Sequence, residues 1–184
     1  MQQDNQPPVM IAAQCCVDVR LQDFQGTVLK KQFGAIYPHA SAGGPYAFIT
    51  DQLERKAFIR SLGRLWGALE KPPTVRIVLV SHEDCKAIGG SGRFGGDLKK
   101  EFQQHYTWQM ETANDLLREL TTGRHTSEIN LVDVEIVHAF LMLSGRLLID
   151  DLRPHSSPFE NFDLTVEELT TNEGREVAAT ATVG

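Results

Sequence analysis

Thr74-Val75-Arg76-Ile77-Val78-Leu79-Val80-Ser81-His82-Glu83-Asp84-Cys85 is an apolar, β-branched run that breaks abruptly into polar residues. It shows almost no polar alternation. Residues 74–81 therefore predict a strand buried on both faces, as in the middle of a parallel sheet. An earlier run, Val9-Met10-Ile11-Ala12-Ala13, enters from Pro7-Pro8 and predicts a second buried strand over residues 9–16. Each run ends in side chains that can bind a metal or hold a charge. The first ends in Cys16-Val17-Asp18-Val19-Arg20 and the second in His82-Glu83-Asp84-Cys85.

The rest of the chain arranges itself around these two strands. Residues 33–42 predict a poorer strand, which Pro38 confines to an edge or a bulge and Gly43-Gly44-Pro45 ends. Asp51, with Glu54 three residues on, reads as a helix start. Leu53, Ala57, Phe58, Leu62, Leu65, Trp66 and Leu69 then recur at helical spacing up to Lys71-Pro72-Pro73. A long helix is expected from about Asp97 to Leu120, closed by Gly123. Residues 131–141 predict a further strand. Ser144-Gly145 then turns the chain into Arg146-Leu147-Leu148-Ile149-Asp150 as an antiparallel hairpin partner. The expected class is α/β, with a mainly parallel central sheet flanked by helices and a C-terminal antiparallel hairpin strand. In such sheets, sites form beyond the carboxyl ends of the strands, where both polar clusters fall.

Size and charge narrow the classes of function. A chain of 184 residues suits one domain, expected over residues 1–155, followed by an acidic tail or arm over 156–184. Residues 155–184 hold six acids against Arg175, which accounts for most of the net charge of −6. That balance argues against nucleic acid as a partner. No apolar run has the length of a membrane span, and Met1 to Pro8 lack the layout of a signal peptide, so a cytoplasmic protein without a membrane partner is expected. Three cysteines are too few, and odd in number, for a disulfide framework.

Reduced thiols leave metal binding as the chemistry on offer. Zinc takes Cys sulfur and His nitrogen in tetrahedral sites, and Cys16, His82 and Cys85 supply three such ligands. Three ligands leave a fourth position for water, which suits a catalytic site better than a closed structural one. Asp18, two residues from Cys16, shares its side of the strand. It could accept a hydrogen bond from that water or ligate the metal itself, with Arg20 holding the carboxylate in a bidentate pair. Cys15 points the other way and reads as core. Gly90-Ser91-Gly92-Arg93-Phe94-Gly95 matches a dinucleotide fingerprint, but it does not follow its strand directly and reads as a turn. His39, His105, His125, His138 and His155 are not at ligand spacing and read as surface or hydrogen-bonded residues.

Cys-x-Asp-x-Arg together with His-x-x-Cys resembles the β-class carbonic anhydrases, over roughly residues 9–152. Ala40-Ser41-Ala42-Gly43-Gly44 stands where that family has Arg-Asn-Ala-Gly. Ser61-Leu62-Gly63-Arg64-Leu65 resembles its Ser-Leu-Glu-Tyr-Ala helix, and Val137-His138-Ala139-Phe140 its closing strand. The resemblance implies a Zn2+ enzyme, a carbonate dehydratase, that interconverts carbon dioxide and bicarbonate through zinc-bound hydroxide. Zinc would be held by Cys16, His82 and Cys85, with Asp18 and Arg20 as a gating pair. It also implies a homodimer or a dimer of dimers. Val19, Lys86, Ala40 and Ser41 depart from the family pattern, and Gln6 is only a rough counterpart of its pocket glutamine. These departures keep two alternatives open: a hydrolase of a carbon dioxide analogue (carbonyl sulfide or carbon disulfide) and a non-catalytic zinc-binding dimer.

Overall fold

A computed structural model describes residues 9–69, 74–122, 133–144 and 146–149. Five strands form one sheet in the order β2-β1-β3-β4-β5: β1 (Val9–Cys16), β2 (Tyr37–Ser41), β3 (Thr74–His82), β4 (Asp133–Leu141) and β5 (Leu147–Ile149). The first four are parallel, and β5 pairs antiparallel with β4. Around them run α1 (Gln22–Phe33), α2 (Pro45–Thr50), α3 (Gln52–Ala68) and α4 (Leu98–Thr122). The mostly parallel sheet, the edge position of the proline-containing β2 and the closing hairpin are as expected.

Two faces of the sheet are covered, which explains the apolar run Ile77-Val78-Leu79-Val80 of β3. On one face Met10, Ala12, Ile77 and Leu79 pack against Phe48, Phe58, Leu62, Trp66, Leu116 and Leu120 from α2, α3 and α4. On the other, Ala13, Cys15, Val78, Val80 and Ala139 pack with Leu21 and Leu29. Cys15 thus lies in the core, as its strand parity requires. Asp51 caps α3 as expected, its Oδ1 accepting from the N–H groups of Leu53 (2.8 Å) and Glu54 (3.2 Å).

Two expectations are corrected. The chain is helical over Gln22–Phe33, where no helix was expected, and residues 33–36 are therefore not strand. Gly34, at φ +77°, ends that helix, and β2 begins only at Tyr37. The short α2 was also unexpected; it starts on Pro45, a residue preset for a first helical turn. His105 is buried rather than on the surface, and its Nε2 has no hydrogen-bond partner among the described residues. The stops at Lys71-Pro72-Pro73 and Gly123, residues 131–132, Gln6, His125, His155 and the 156–184 tail lie outside the described residues.

The topology places the site. From β1 the chain crosses to β2 on one side, and from β3 it crosses to β4 on the other. The strand order therefore reverses between β1 and β3, which is where parallel α/β sheets open a crevice at their carboxyl ends. The two strands run in register, Ala12 beside Ile77 and Gln14 beside Leu79. Cys16 and His82 consequently leave the sheet at the same edge, on neighbouring strands.

Candidate metal centre

At this switch point Cys16, His82 and Cys85 converge, with one ligand atom from each within 4.8 Å of the others. All three are buried. The two sulfurs are 3.7 Å apart. Two thiolates bound tetrahedrally at about 2.3 Å from one zinc ion would lie about 3.8 Å apart, so the spacing suits that ion. His82 Nδ1 lies 2.8 Å from the carbonyl oxygen of Glu83. A proton on Nδ1 donates to that carbonyl, which leaves the lone pair on Nε2. Nε2 is buried with no hydrogen-bond partner among the described residues. A buried acceptor without a donor is costly, and a metal ion at this place would satisfy it.

The electrostatics agree with a metal-type thiol pair. The Cys16 thiol is drawn down to about 4, first by its hydrogen bond with Cys85 and further by His82, against the opposing effect of burial. Cys85 is pushed up, first by Cys16 and then by burial. The two thiols thus titrate as a pair joined by one hydrogen bond. A divalent cation binding both sulfurs would displace their protons. Cys15, on the opposite face, is raised to about 12 by burial and by Cys16, and is inert.

Local structure fixes each ligand. Gln14 Nε2 donates to Ser41 Oγ and to Gly44 O (3.2 Å), tying the end of β1 to β2 and the glycine turn. Gln109 Nε2 reaches Leu79 O (3.0 Å), Ser81 Oγ (3.0 Å) and Ala139 O (2.8 Å), clamping β3 and β4 just before His82. Beyond His82, Asp84 adopts φ +53° and turns the chain so that Cys85 comes back to the cluster. Ile88 and Trp108, with Tyr46, Ile49 and Phe94 behind them, pack around the two cysteines.

Asp18 and Arg20 stand beside the cluster rather than in it. Arg20 Nε donates to Asp18 Oδ1 (2.9 Å) and Nη2 to Asp18 Oδ2 (2.6 Å), the bidentate pair anticipated from the sequence. Arg20 holds the Asp18 carboxyl below the usual carboxylate range, with its hydrogen bonds outweighing burial. A cavity of about 350 Å³ opens here, lined by Cys16, Val17, Asp18, Val19, Arg20, Lys86 and Ala87. Lys86 does not block it. The ammonium group turns to Asp84, 2.8 and 2.7 Å from its two carboxylate oxygens, and stays largely exposed.

Sequence reasoning missed the second tier of this site. Arg20 also donates from Nη1 to Asp84 Oδ2 (3.0 Å) and from Nη2 to Asp84 O (2.9 Å). Glu101, fully buried, accepts from the Asp84 N–H (2.6 Å) and from Ser91 Oγ (2.8 Å). Asp84 lay in the quoted cluster, but nothing in its spacing singled it out. Glu101 looks like any acid in the first turn of a long helix. The glycine-rich stretch serves the same turn: a Cβ on Gly90 would lie 2.7 Å from Asp84 Oδ1. No protein-family model matches the chain, and no curated protein matches it in sequence.

Proposed function

We propose that this protein is a zinc enzyme that interconverts carbon dioxide and bicarbonate (CO2 + H2O ⇌ HCO3− + H+). The observation that carries the reading is the convergence of Cys16, His82 and Cys85 on one point with the Asp18–Arg20 pair at its lip. Cys16, His82 and Cys85 would hold a zinc ion, which when bound would supply an acidified water as nucleophile near neutral pH. The remaining work falls to the protein. His82 presents Nε2 because Nδ1 is committed to Glu83 O. Asp18, kept ionised by Arg20, can only accept a hydrogen bond, so it orients an O–H donor and leaves the oxygen lone pair directed away from itself. Val17, Val19 and Ala87 give the cavity apolar walls suited to a small molecule without charge. Arg20 and Lys86 set two cations at its mouth, where an anionic product leaves.

The same reading takes the protein as a cytoplasmic homodimer or dimer of dimers. Stopped-flow hydration of carbon dioxide by zinc-loaded protein, across roughly pH 6.5–9, tests the activity. No rate above that of buffer would refute it. A second reading, hydrolysis of carbonyl sulfide or carbon disulfide by the same residues, is favoured by the apolar valines on the lip. Hydrogen sulfide release, measured against carbon dioxide hydration, separates the two.

A further inference from the structure

We propose that Asp84 is the fixed anchor of Arg20, a positioning residue that keeps the guanidinium in place while Asp18 is free to exchange partners. The proposal rests on the carbon dioxide reading above and deepens it.

Arg20 spans two strand-end loops. Two of its side-chain hydrogen bonds go to Asp18 after β1 and two to Asp84 after β3. The two carboxylates are held very differently. Among the described residues, the Asp18 carboxylate has no hydrogen-bond partner but Arg20, through the side chain and through the backbone N–H (3.1 Å). The Asp84 carboxylate also takes Lys86 Nζ (2.8 Å) and the Ser91 N–H (2.9 Å). Its backbone N–H is bound by the buried Glu101, which also takes the Ser91 hydroxyl. Gly90 closes the turn at φ +64°, leaving no room for a side chain beside Asp84 Oδ1 and Lys86 Nζ. Asp84 is thus fixed by its main chain, by Ser91 and by Lys86. Among the described residues, the Asp18 carboxylate is held by Arg20 alone, its main chain by the Leu21 N–H on Asp18 O.

The consequence concerns the reaction. While paired with Arg20, the Asp18 carboxylate keeps free lone pairs for an O–H donor, but to turn into the cluster itself it has to loosen from its cation. If Arg20 had only Asp18, it would swing into solvent each time. With Asp84, two of the four bonds remain and the cation stays charge-paired on the cavity lip. Lys86 shares the Asp84 carboxylate, so Asp84 does not draw Arg20 away from Asp18 altogether. The residue that departs from the family pattern next to Cys85 thereby acquires a part in the site.

Carbon dioxide hydration is measured on the zinc-loaded full chain for wild type, D84N, R20A and R20A/D84N. Asparagine tolerates a positive φ, so D84N keeps the turn. The expected result is about a tenfold lower kcat/KM for D84N at unchanged zinc content, and R20A/D84N no slower than R20A. D84N equal to wild type overturns the proposal. So does a D84N loss of the same factor in the R20A background, because a purely structural residue would add its effect independently. Should D84N not fold, K86M takes its place, with an expected loss of about threefold in wild type and none in R20A; an equal loss in both overturns the proposal. If the wild type hydrates no carbon dioxide, the functional reading fails. The anchor is then decided by calorimetric titration of methylguanidinium into zinc-loaded R20A. Binding at least fivefold weaker in R20A/D84N supports it, and equal binding overturns it.

Discussion

Substituting Gly44 by alanine puts a methyl group between the ends of two strands. Gly44 has φ +57° and ψ −128°, a backbone region kept almost entirely to glycine, where strain costs a residue with a Cβ about 1–2 kcal/mol. The added carbon would lie 3.1 Å from Val80 O and 3.4 Å from Cys16 N. Both neighbours are backbone of the central strands, so they can yield only by shifting β1 against β3. We take a further loss of about 1 kcal/mol for that overpacking, giving about 2–3 kcal/mol in all. The shift falls on Cys16, whose sulfur is spaced 3.7 Å from that of Cys85. Zinc affinity should therefore fall by about tenfold as well, in line with losses seen when support behind a ligand is removed. Urea denaturation of the chelated protein measures the first effect, with an unchanged m-value expected. Competition with a chromophoric chelator measures the second. Gly26 in α1 is the matched control, since a Cβ there meets nothing within 4 Å. G26A should be more stable by about 0.5–1 kcal/mol. A G44A protein within about 0.5 kcal/mol of wild type, with wild-type zinc affinity, would refute the picture of a glycine wedge under Cys16.

Other expectations follow from the same geometry. C16S, H82A and C85S should each lose stoichiometric zinc by metal analysis, whereas C15S should keep it, because Cys15 faces the opposite core. His105 is held down to about 3 by burial, from an ordinary value of 6.5. The native state therefore binds fewer protons than the unfolded chain between those values, and stability is present above pH 6.5 and lost as pH falls towards 3. H105F should flatten that acid limb by up to about 1.4 kcal/mol per pH unit, read from urea midpoints across the interval. Arg55 is buried and bonds Phe48 O (2.9 Å), Asp115 and Glu119, joining α2, α3 and α4. R55M should cost about 2–3 kcal/mol by urea denaturation, less than a fully buried pair because both acids reach solvent.

Much of this could be read from the chain. β1 and β3 declare themselves because a strand covered on both faces carries few polar residues, Gln14 in the one and Arg76 in the middle of the other. The two clusters declare themselves because a site at a sheet edge must begin where such a run stops. The start of α3 is visible because Asp51 does its capping through a side chain. α1 is different. Its buried side, from the cap residue Leu21 through Gln25 to Leu29, has a polar residue in the apolar stripe, and Gly26 weakens the helix further. It folds because the sheet offers a face to cover, which no local pattern records. α2 is too short for a period to show. Asp84, Glu101 and Ser91 meet only because a left-handed turn and the first turn of α4 come together in space. Gln109 likewise reads as one polar residue on a long helix until the carbonyls of Leu79 and Ala139 are seen beneath it.

The 3.7 Å gap between the sulfurs of Cys16 and Cys85 closes a circuit as well as a site. The two residues are 69 positions apart, and α1, β2, α2, α3 and β3 all lie within that span. An ion bridging them ties the span into a ring. Restricting the unfolded chain to a loop of that length is worth about 4 kcal/mol on the entropic account used for disulfides. Metal would thus act as a removable cross-link over half of the domain, and its loss should loosen first the elements inside the ring, β2 at the open sheet edge before β3 at its centre.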